Sequence, residues 1–288
     1  LFSISVAARS NPLPRLNLLL QVRQAAVTEV KIPPEVTAGA SWMLSPGGEH
    51  LLKVSLSRNT KLPCFNDLYW LPGGNPELEP ETSSGGEISW SYSGISSPEN
   101  RTSLDLSLHA SRVDELIQWI PGQSGLWHAV NLRSVNLSGI EARAGNRRTI
   151  ARWKIHGWLN YALTRTVISG TDISNDRSVG KQLIYAPLHH ANVNITAERG
   201  WFRTGLNSAW ESRRFTTSDN SEWLPPAVLT GANAGIVFTT DQLKIHTDLK
   251  VNNITGTIFE SVRNYPMPLR TFCISLTLTW SDKLKEDE

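Results

Sequence analysis

The sequence predicts an all-β fold: an antiparallel, transmembrane β-barrel wall of about thirteen strands. Three observations carry this reading. Side chains alternate apolar and polar with a period of two. Connectors alternate between short turns and long loops. Tryptophan, at 11 residues, outnumbers Phe at 7 and Tyr at 5.

The alternation begins at the first residues. Phe2, Ile4, Val6 and Ala8 fall on one side, with Ser3, Ser5, Ala7 and Arg9 on the other. A strand sends successive side chains to opposite faces, so such a pattern has one apolar face. Leu104, Leu106, Leu108 and Ala110 alternate with Ser103, Asp105, Ser107 and His109. Trp153, Ile155, Leu159 and Tyr161 alternate with Arg152, Lys154, His156 and Asn160. Leu243, Ile245, Thr247, Leu249 and Val251 alternate with Lys244, His246, Asp248 and Lys250. The last regular stretch sets Phe272, Ile274, Leu276, Leu278 and Trp280 against Cys273, Ser275, Thr277 and Thr279. No segment holds a 3.6-residue period over several turns. The strands fall at roughly 1–9, 14–28, 36–44, 50–58, 84–94, 101–119, 128–142, 148–166, 184–198, 201–214, 227–240, 242–253 and 270–280.

Short turns are expected at Ser45–Gly48, Ser97–Asn100, Gly145-Asn146, Arg199-Gly200 and Thr240-Asp241. Long loops are expected at about 59–83, 120–127, 167–183, 215–226 and 254–269. Short turns at one end and long loops at the other are the layout of an outer-membrane barrel, with lipid on the apolar face. A soluble antiparallel sandwich also alternates, but it does not need this asymmetry or strands long enough to cross a bilayer at a tilt. Trp42, Trp70, Trp90, Trp119, Trp127, Trp201, Trp210, Trp223 and Trp280 lie near strand ends or in adjoining loops. Amphipathic rings there suit the headgroup level.

Composition excludes several classes. The 288 residues carry 28 Lys and Arg against 26 Asp and Glu, a net charge of +2. That provides no concentrated basic face for nucleic acid. Mean hydropathy is −0.25, and no apolar run approaches the ~18 residues of a membrane-spanning helix. The first residues do not read as a signal peptide, and Met occurs only at Met43 and Met267. A processed chain or a piece of something longer fits both facts.

No enzyme motif emerges. His189-His190 are adjacent, so in a strand they point to opposite faces and do not share a metal. There is no Gly-x-Ser-x-Gly elbow and no phosphate-cradling glycine loop. Glu79, Glu81 and Glu87 read as loop ion pairs rather than an acid/base pair. Neither a catalytic residue, a metal site nor a cofactor is expected. Cys64 and Cys273 lack metal-ligand spacing, and a disulfide between them stays open.

One block is specific. Arg58-Asn59-Thr60-Lys61-Leu62-Pro63-Cys64-Phe65-Asn66-Asp67-Leu68-Tyr69-Trp70 is followed by Gly74-Asn75-Pro76-Glu77-Leu78-Glu79-Pro80-Glu81. It resembles the barrel of TonB-dependent outer-membrane receptors, where a strand ends in Arg, a Pro-x-Phe-x-x-Leu-Tyr loop follows, and Gly-Asn-Pro-x-Leu-x-Pro-Glu enters the next strand. Further matches follow in order: Arg112–Trp119, Asn131 with Val135 and Ser138–Glu141, Gly180, Ile184–Pro187, Asn253 and Tyr265–Arg270. The resemblance covers most of residues 50–280. The family has an N-terminal plug of ~150 residues and a barrel of about 22 strands. Nothing here resembles a plug. Residues 1–280 are therefore expected to be the C-terminal part of such a barrel, and 281–288 a charged periplasmic tail. That tail departs from the family, which usually ends on its final aromatic residue.

The resemblance implies an outer-membrane, multi-pass receptor that imports a scarce nutrient, an iron–siderophore complex or cobalamin. TonB would act through the plug region, and outer-membrane lipid would surround the barrel. A complete small barrel, either a pore or a lipase-like enzyme, and a soluble adhesin-like sandwich are the alternatives. Candidate ligand contacts are the loop residues Trp119, Trp127, Tyr185, His189 and Trp223, which offer rings for a flat or cyclic ligand. The block Arg58, Pro63, Phe65, Leu68, Tyr69, Gly74, Asn75, Pro76, Pro80 and Glu81 is expected to be mainly a loop scaffold.

Overall fold

The structure, a computed structural model, describes residues 2–27, 32–97, 99–122, 125–171, 176–240 and 242–280. The tail 281–288 lies outside the described residues, as do Pro98 and Asp241 of two expected turns. The elements in chain order are β1 (Phe2–Leu13), β2 (Leu16–Ala26), β3 (Glu35–Met43), β4 (His50–Lys61), α1 (Phe65–Tyr69), β5 (Glu81–Ser97), β6 (Asn100–Pro121), β7 (Trp127–Ile150), β8 (Trp153–Gly170), β9 (His189–Arg199), β10 (Phe202–Glu211), β11 (Arg214–Phe215), β12 (Trp223–Leu224), β13 (Ala227–Thr239), β14 (Leu243–Asn252), β15 (Glu260–Val262), β16 (Tyr265–Pro266) and β17 (Thr271–Trp280).

Thirteen strands form one sheet in the order β1-β2-β3-β4-β5-β6-β7-β8-β9-β10-β13-β14-β17. Each strand pairs antiparallel with its predecessor in that order. The remaining strands make two small ribbons inside loops, β11 with β12 and β15 with β16. The main sheet is open. β1 and β17 each pair on one side, and every residue of both is exposed.

The register sorts the side chains into two faces. Across β10, β13, β14 and β17, the pairs Phe202–Ile236, Phe238–Ile245, Ile245–Leu278 and Leu249–Ile274 share the outer face. The pairs Lys250–Cys273, Asp248–Ser275 and His246–Thr277 share the inner one. Phe272, Ile274, Leu276 and Leu278 are all exposed, so the apolar face covers nothing within this chain. This is the lipid-facing surface that the alternation implies.

One hydrogen-bonded row shows how the barrel is sheared. It runs Trp42, Leu52, Trp90, Leu106, Ala142, Tyr161, Ala191 and Trp210, from β3 to β10. Trp42 lies at the short-turn end of β3 and Trp210 at the long-loop end of β10, with Trp90 and Tyr161 near the middle of their strands. Seven steps of ~4.8 Å, at a strand tilt of ~40°, raise the row by ~20 Å. That is close to the ~25 Å apolar band of an outer-membrane barrel. Both ends of the row therefore reach a headgroup level. The short-turn belt holds Trp42, His50, Trp90, Tyr92, Trp153, Phe202 and Trp280. Its His50, Trp90 and Tyr92 rings stack with centroids 4.9 to 6.5 Å apart. The long-loop belt holds Tyr161, His189 and Trp210, stacked at 6.2 Å.

The structure corrects the sequence reading in places. Gly145-Asn146 is not a turn: β7 continues to Ile150, and Ala151 and Arg152 turn the chain with φ of 49° and 71°. Gly145 faces the lumen opposite Trp158, and a Cβ there would sit 2.6 Å from the Ser103 hydroxyl. The glycine marks crowding within a sheet, not a bend. Ile184–Pro187 lie in the loop before β9 rather than in that strand. Cys64 is in the β4–β5 loop and Cys273 on the lumen face of β17, and both are free thiols.

Leu206 lies on the outer face midway between Phe202 and Trp210. In the full-length protein in a membrane, Leu206→Arg is expected to cost about 2–4 kcal/mol. The lumen-facing neighbour substitution Asn207→Arg is expected to cost less than about 1 kcal/mol. Urea unfolding in lipid vesicles, read by heat-modifiable gel migration, measures both.

Candidate functional site

The strands differ in length for a reason that creates the site. Crossing the apolar band takes ~9–11 residues, yet β6 has 22 and β7 has 24. This hairpin rises well past the long-loop headgroup level. A bare two-stranded ribbon in water is marginal; two loops lean on it directly and a third through the second.

The first is the β4–β5 loop, residues 62–80. Its helix α1 is capped by Asp67, whose carboxylate accepts from the Cys64 backbone N–H at 3.0 Å. The other oxygen of Asp67 accepts from the Trp119 indole N–H at 3.0 Å. Asn131 of β7 then clasps the chain: its amide accepts from Glu79 N–H at 2.9 Å and donates to the carbonyls of Glu79 and Glu115. Glu81, only 8% exposed, accepts from Ile117 N–H at 3.0 Å and pairs with Lys61 at 2.9 Å. Ala129 N–H donates to the Gly73 carbonyl at 2.9 Å. A Cβ on Gly73 would stand 2.0 Å from the Trp127 carbonyl, and one on Gly74 would stand 2.5 Å from the Trp70 nitrogen. Only glycine admits both approaches.

The expected loop block is thus spread over this latch. Asn75 accepts from Glu77 N–H at 3.0 Å, and Leu78 is buried. Pro63 precedes the cap of α1, Leu68 lies within it, and Pro76 and Pro80 flank Leu78. Arg58 sits near the end of β4, opposite Ser84. Phe65 and Tyr69 are exposed and stack on each other at 6.2 Å; Tyr69 holds no buried polar group.

The second support is a small core. Val135 and Ile168, 1% and 4% exposed, close against Leu183 of the β8–β9 loop. Gln182 of that loop accepts from Thr166 N–H at 3.0 Å, and its own N–H donates to the Asn220 side chain at 2.9 Å. The third is the β10–β13 loop, reached through Asn220 and through Tyr185 N–H, which donates to the Phe215 carbonyl at 2.8 Å.

The five candidate ligand residues separate into different roles. Trp127 and Tyr185 meet, with ring centroids 5.9 Å apart. Trp223 pairs with Phe215 across the β11–β12 ribbon, and the Arg213 guanidinium lies over both rings at 5.7 and 5.3 Å. The backbone bond from Tyr185 to Phe215 sets these two ring pairs on neighbouring segments at the loop end. Trp119 is committed to Asp67. His189 is not a loop residue: it opens β9 on the outer face, bonded to the Tyr161 hydroxyl at 2.8 Å and stacked on Trp210. Its neighbour His190 faces the lumen, as adjacent strand residues must.

Below the loops, the lumen wall carries a cavity of about 570 Å³ bounded by Lys53, Glu87, Asp105, Arg143, Asn160 and His190, with Glu141 beside them. Sequence reasoning missed Arg213, Phe215 and this wall. Arg213 and Phe215 belong to a two-residue ribbon and its approach, too short for a period, and the wall appears only when the register aligns six strands. Among the described residues, no group of three or more His, Cys, Asp and Glu side chains is placed to hold a metal ion.

Charge is set locally in the loops. Burial alone would raise the Asp67 carboxyl. The hydrogen bonds from Cys64 and Trp119 and the charge of Lys61 outweigh it and hold the group below its ordinary 3.8. Asp219 is drawn down to about 2 by the Ser221 hydroxyl and amide and by Thr217.

The chain belongs to the TonB-dependent receptor β-barrel family: the model "TonB dependent receptor-like, beta-barrel" matches residues 36–254. A curated relative, the vitamin B12 transporter BtuB of Photobacterium profundum, is 26% identical over 232 residues, 78% of this chain. The chain spans 35% of that relative's length. Among solved structures, the copper transporter OprC superposes with a TM-score of 0.70 at 15% identity, over 97% of this chain and 47% of OprC. The siderophore receptor PiuA from Acinetobacter baumannii gives 0.66 at 14%, over 96% of this chain and 42% of PiuA. At those identities the two structures share the fold.

Removing the buried acceptor in Glu81→Ala is expected to destabilise the loop by roughly 1–3 kcal/mol and to expose residues 62–80 to protease. Acid acts at Asp67. A carboxyl held low in the folded state stabilises fully above its unfolded value and loses that contribution as pH falls through the folded one. Pepsin cleavage within 62–80 is therefore expected to be slow down to about pH 5 and to rise below 3.8. Asp67→Asn is expected to be cleaved faster at about pH 5 and to lose that step, which timed digestion of the membrane-embedded receptor measures.

Proposed function

We propose that this chain forms the C-terminal wall of a nutrient-importing receptor of the bacterial outer membrane, with cobalamin as its cargo. Residues 1–280 are the barrel part, and the plug that contacts TonB belongs to the remainder of the protein. TonB energises transport through that plug, so the wall needs neither catalytic groups nor a nucleotide site.

The observation that carries this reading is the pairing of an apolar outer face with a polar lumen beneath loops latched at one end. A soluble sandwich would bury the face that Phe272, Ile274, Leu276 and Leu278 leave open. A closed pore of these strands alone would pair β1 with β17, which the sheet does not do. The cargo reading draws support from the curated relative, a vitamin B12 transporter. The two ring pairs, Trp127 with Tyr185 and Phe215 with Trp223, give a large cyclic ligand rings to lie against. Ferric siderophore is the second reading, favoured by Arg213 lying over two of those rings, which adds positive charge for an anionic chelate.

Growth rescue discriminates the two. A strain lacking the whole receptor gene is expected to regain growth limited by trace cobalamin when the gene is restored, and not growth limited by ferric siderophore. The reverse result would move the cargo to the siderophore reading. Trp127→Ala with Tyr185→Ala is expected to weaken cobalamin binding about 10–100-fold, taking roughly 1–3 kcal/mol for two stacked rings, as radiolabelled cobalamin binding to whole cells would show.

A further inference from the structure

The short-turn rim separates its charges by face. On the lumen side, acids stand among the bases. Glu198 stands between Lys154 and Arg203 in the register, and Asp248 takes Arg203 at 3.4 Å and His246 at 2.8 Å. Glu99 lines a lumen-side cavity with Arg147 and Lys154. On the outer side and in the adjoining turn, the bases have no acids. Arg148 pairs in register with Ile155, on the face that carries Ala144, Ala142 and Ile140. Arg152 stands in the turn between β7 and β8 with φ of 71°. Arg199 shares the outer face with Phe202 and lies over the Trp153 ring at 5.9 Å. All three arginines are exposed, and among the described residues no carboxylate pairs with any of them.

Their depth is fixed by the belt. Trp153 ends the apolar span that begins at Tyr161 on the same strand; Arg199 lies over its ring, Arg152 precedes it in the turn, and Arg148 stands opposite Ile155 two residues along. A guanidinium at this level is too shallow for hydrocarbon and too deep for free water. Its stem lies along apolar surface while its head seeks an anion. Guanidinium forks bind phosphate oxygens bidentately.

We propose that Arg148, Arg152 and Arg199 form a binding site for the phosphodiester of anionic phospholipid in the periplasmic leaflet, with Trp153 as its floor. The lumen-side arginines Arg101 and Arg147 face away from the membrane and take no part. The site rests on the barrel's placement in a membrane and not on its cargo, so a change of cargo leaves it standing.

Native mass spectrometry of the full-length receptor, released from nanodiscs containing phosphatidylglycerol, tests this. Wild type is expected to retain phosphatidylglycerol. Each single change Arg148→Gln, Arg152→Gln and Arg199→Gln is expected to lower its occupancy about fivefold, with folding checked by heat-modifiable migration. Arg101→Gln with Arg147→Gln, which removes more charge from the lumen side, is expected to leave occupancy unchanged. Equal retention by wild type and all three outer variants would overturn the proposal, as would an equal loss in the lumen-side variant. Displacement of the lipid by inorganic phosphate at millimolar concentration would also overturn it, because the site would then be a free-phosphate site. Preferential retention of lipid A over phosphatidylglycerol would do the same, since lipid A belongs to the opposite leaflet.

Discussion

Inside a bilayer there is no water to satisfy a peptide group, so every backbone N–H and C=O must find its partner within the sheet. That constraint drives the rest of the structure. It forces continuous pairing from β1 to β17 and leaves side chains as the only surface on which lipid and lumen can be told apart. The two-residue period follows. So does the shear, because strands that tilt to wrap a barrel carry one hydrogen-bonded row from Trp42 at one headgroup level to Trp210 at the other. The belts are consequences of this geometry: rings collect wherever the apolar band ends, and that position shifts from strand to strand.

Above the band the constraint relaxes and a different one replaces it. The β6–β7 hairpin stands in water, where its own ladder is not enough to keep it in one place. The loop after β4 supplies hydrogen-bond partners for exposed backbone groups and, in place of the lipid below, cover for apolar side chains. Asn131 and Glu81 are effective there because each satisfies several groups at once in a low-exposure setting. Held in this way, the hairpin and the two later loops set Trp127 against Tyr185, and Phe215 with Trp223 on the neighbouring ribbon. The loop motif thus fixes the hairpin on which Trp127 stands.

Much of the wall was legible in the sequence, because a sustained period of two, as in Leu243–Val251, is the mark of a strand with two different faces. The loop motif was legible too, since Pro, Gly and Asn at fixed offsets report backbone demands. What stayed hidden depended on pairing. Gly145 reads as a turn until Trp158 is found across from it. His189 falls within the strand expected at 184–198, but only the pairing sets it beside Tyr161 on the outer face. Ala151-Arg152 carries no turn signature at all, because the hairpin imposes positive φ on residues that do not favour it. The lumen cavity could not be read either, since its lining is drawn from every strand between β4 and β9 and meets only through register.

Spin labels placed one at a time from Leu243 to Val251 in the membrane-embedded receptor test the central claim most directly. Labels at Leu243, Ile245, Thr247, Leu249 and Val251 should be relaxed by oxygen dissolved in lipid, and those at Lys244, His246, Asp248 and Lys250 by a water-soluble nickel chelate. A two-residue oscillation, with the two relaxants out of phase, is the expected result. In-phase accessibility to the nickel chelate along the whole strand would place both faces in water and contradict the membrane-spanning wall.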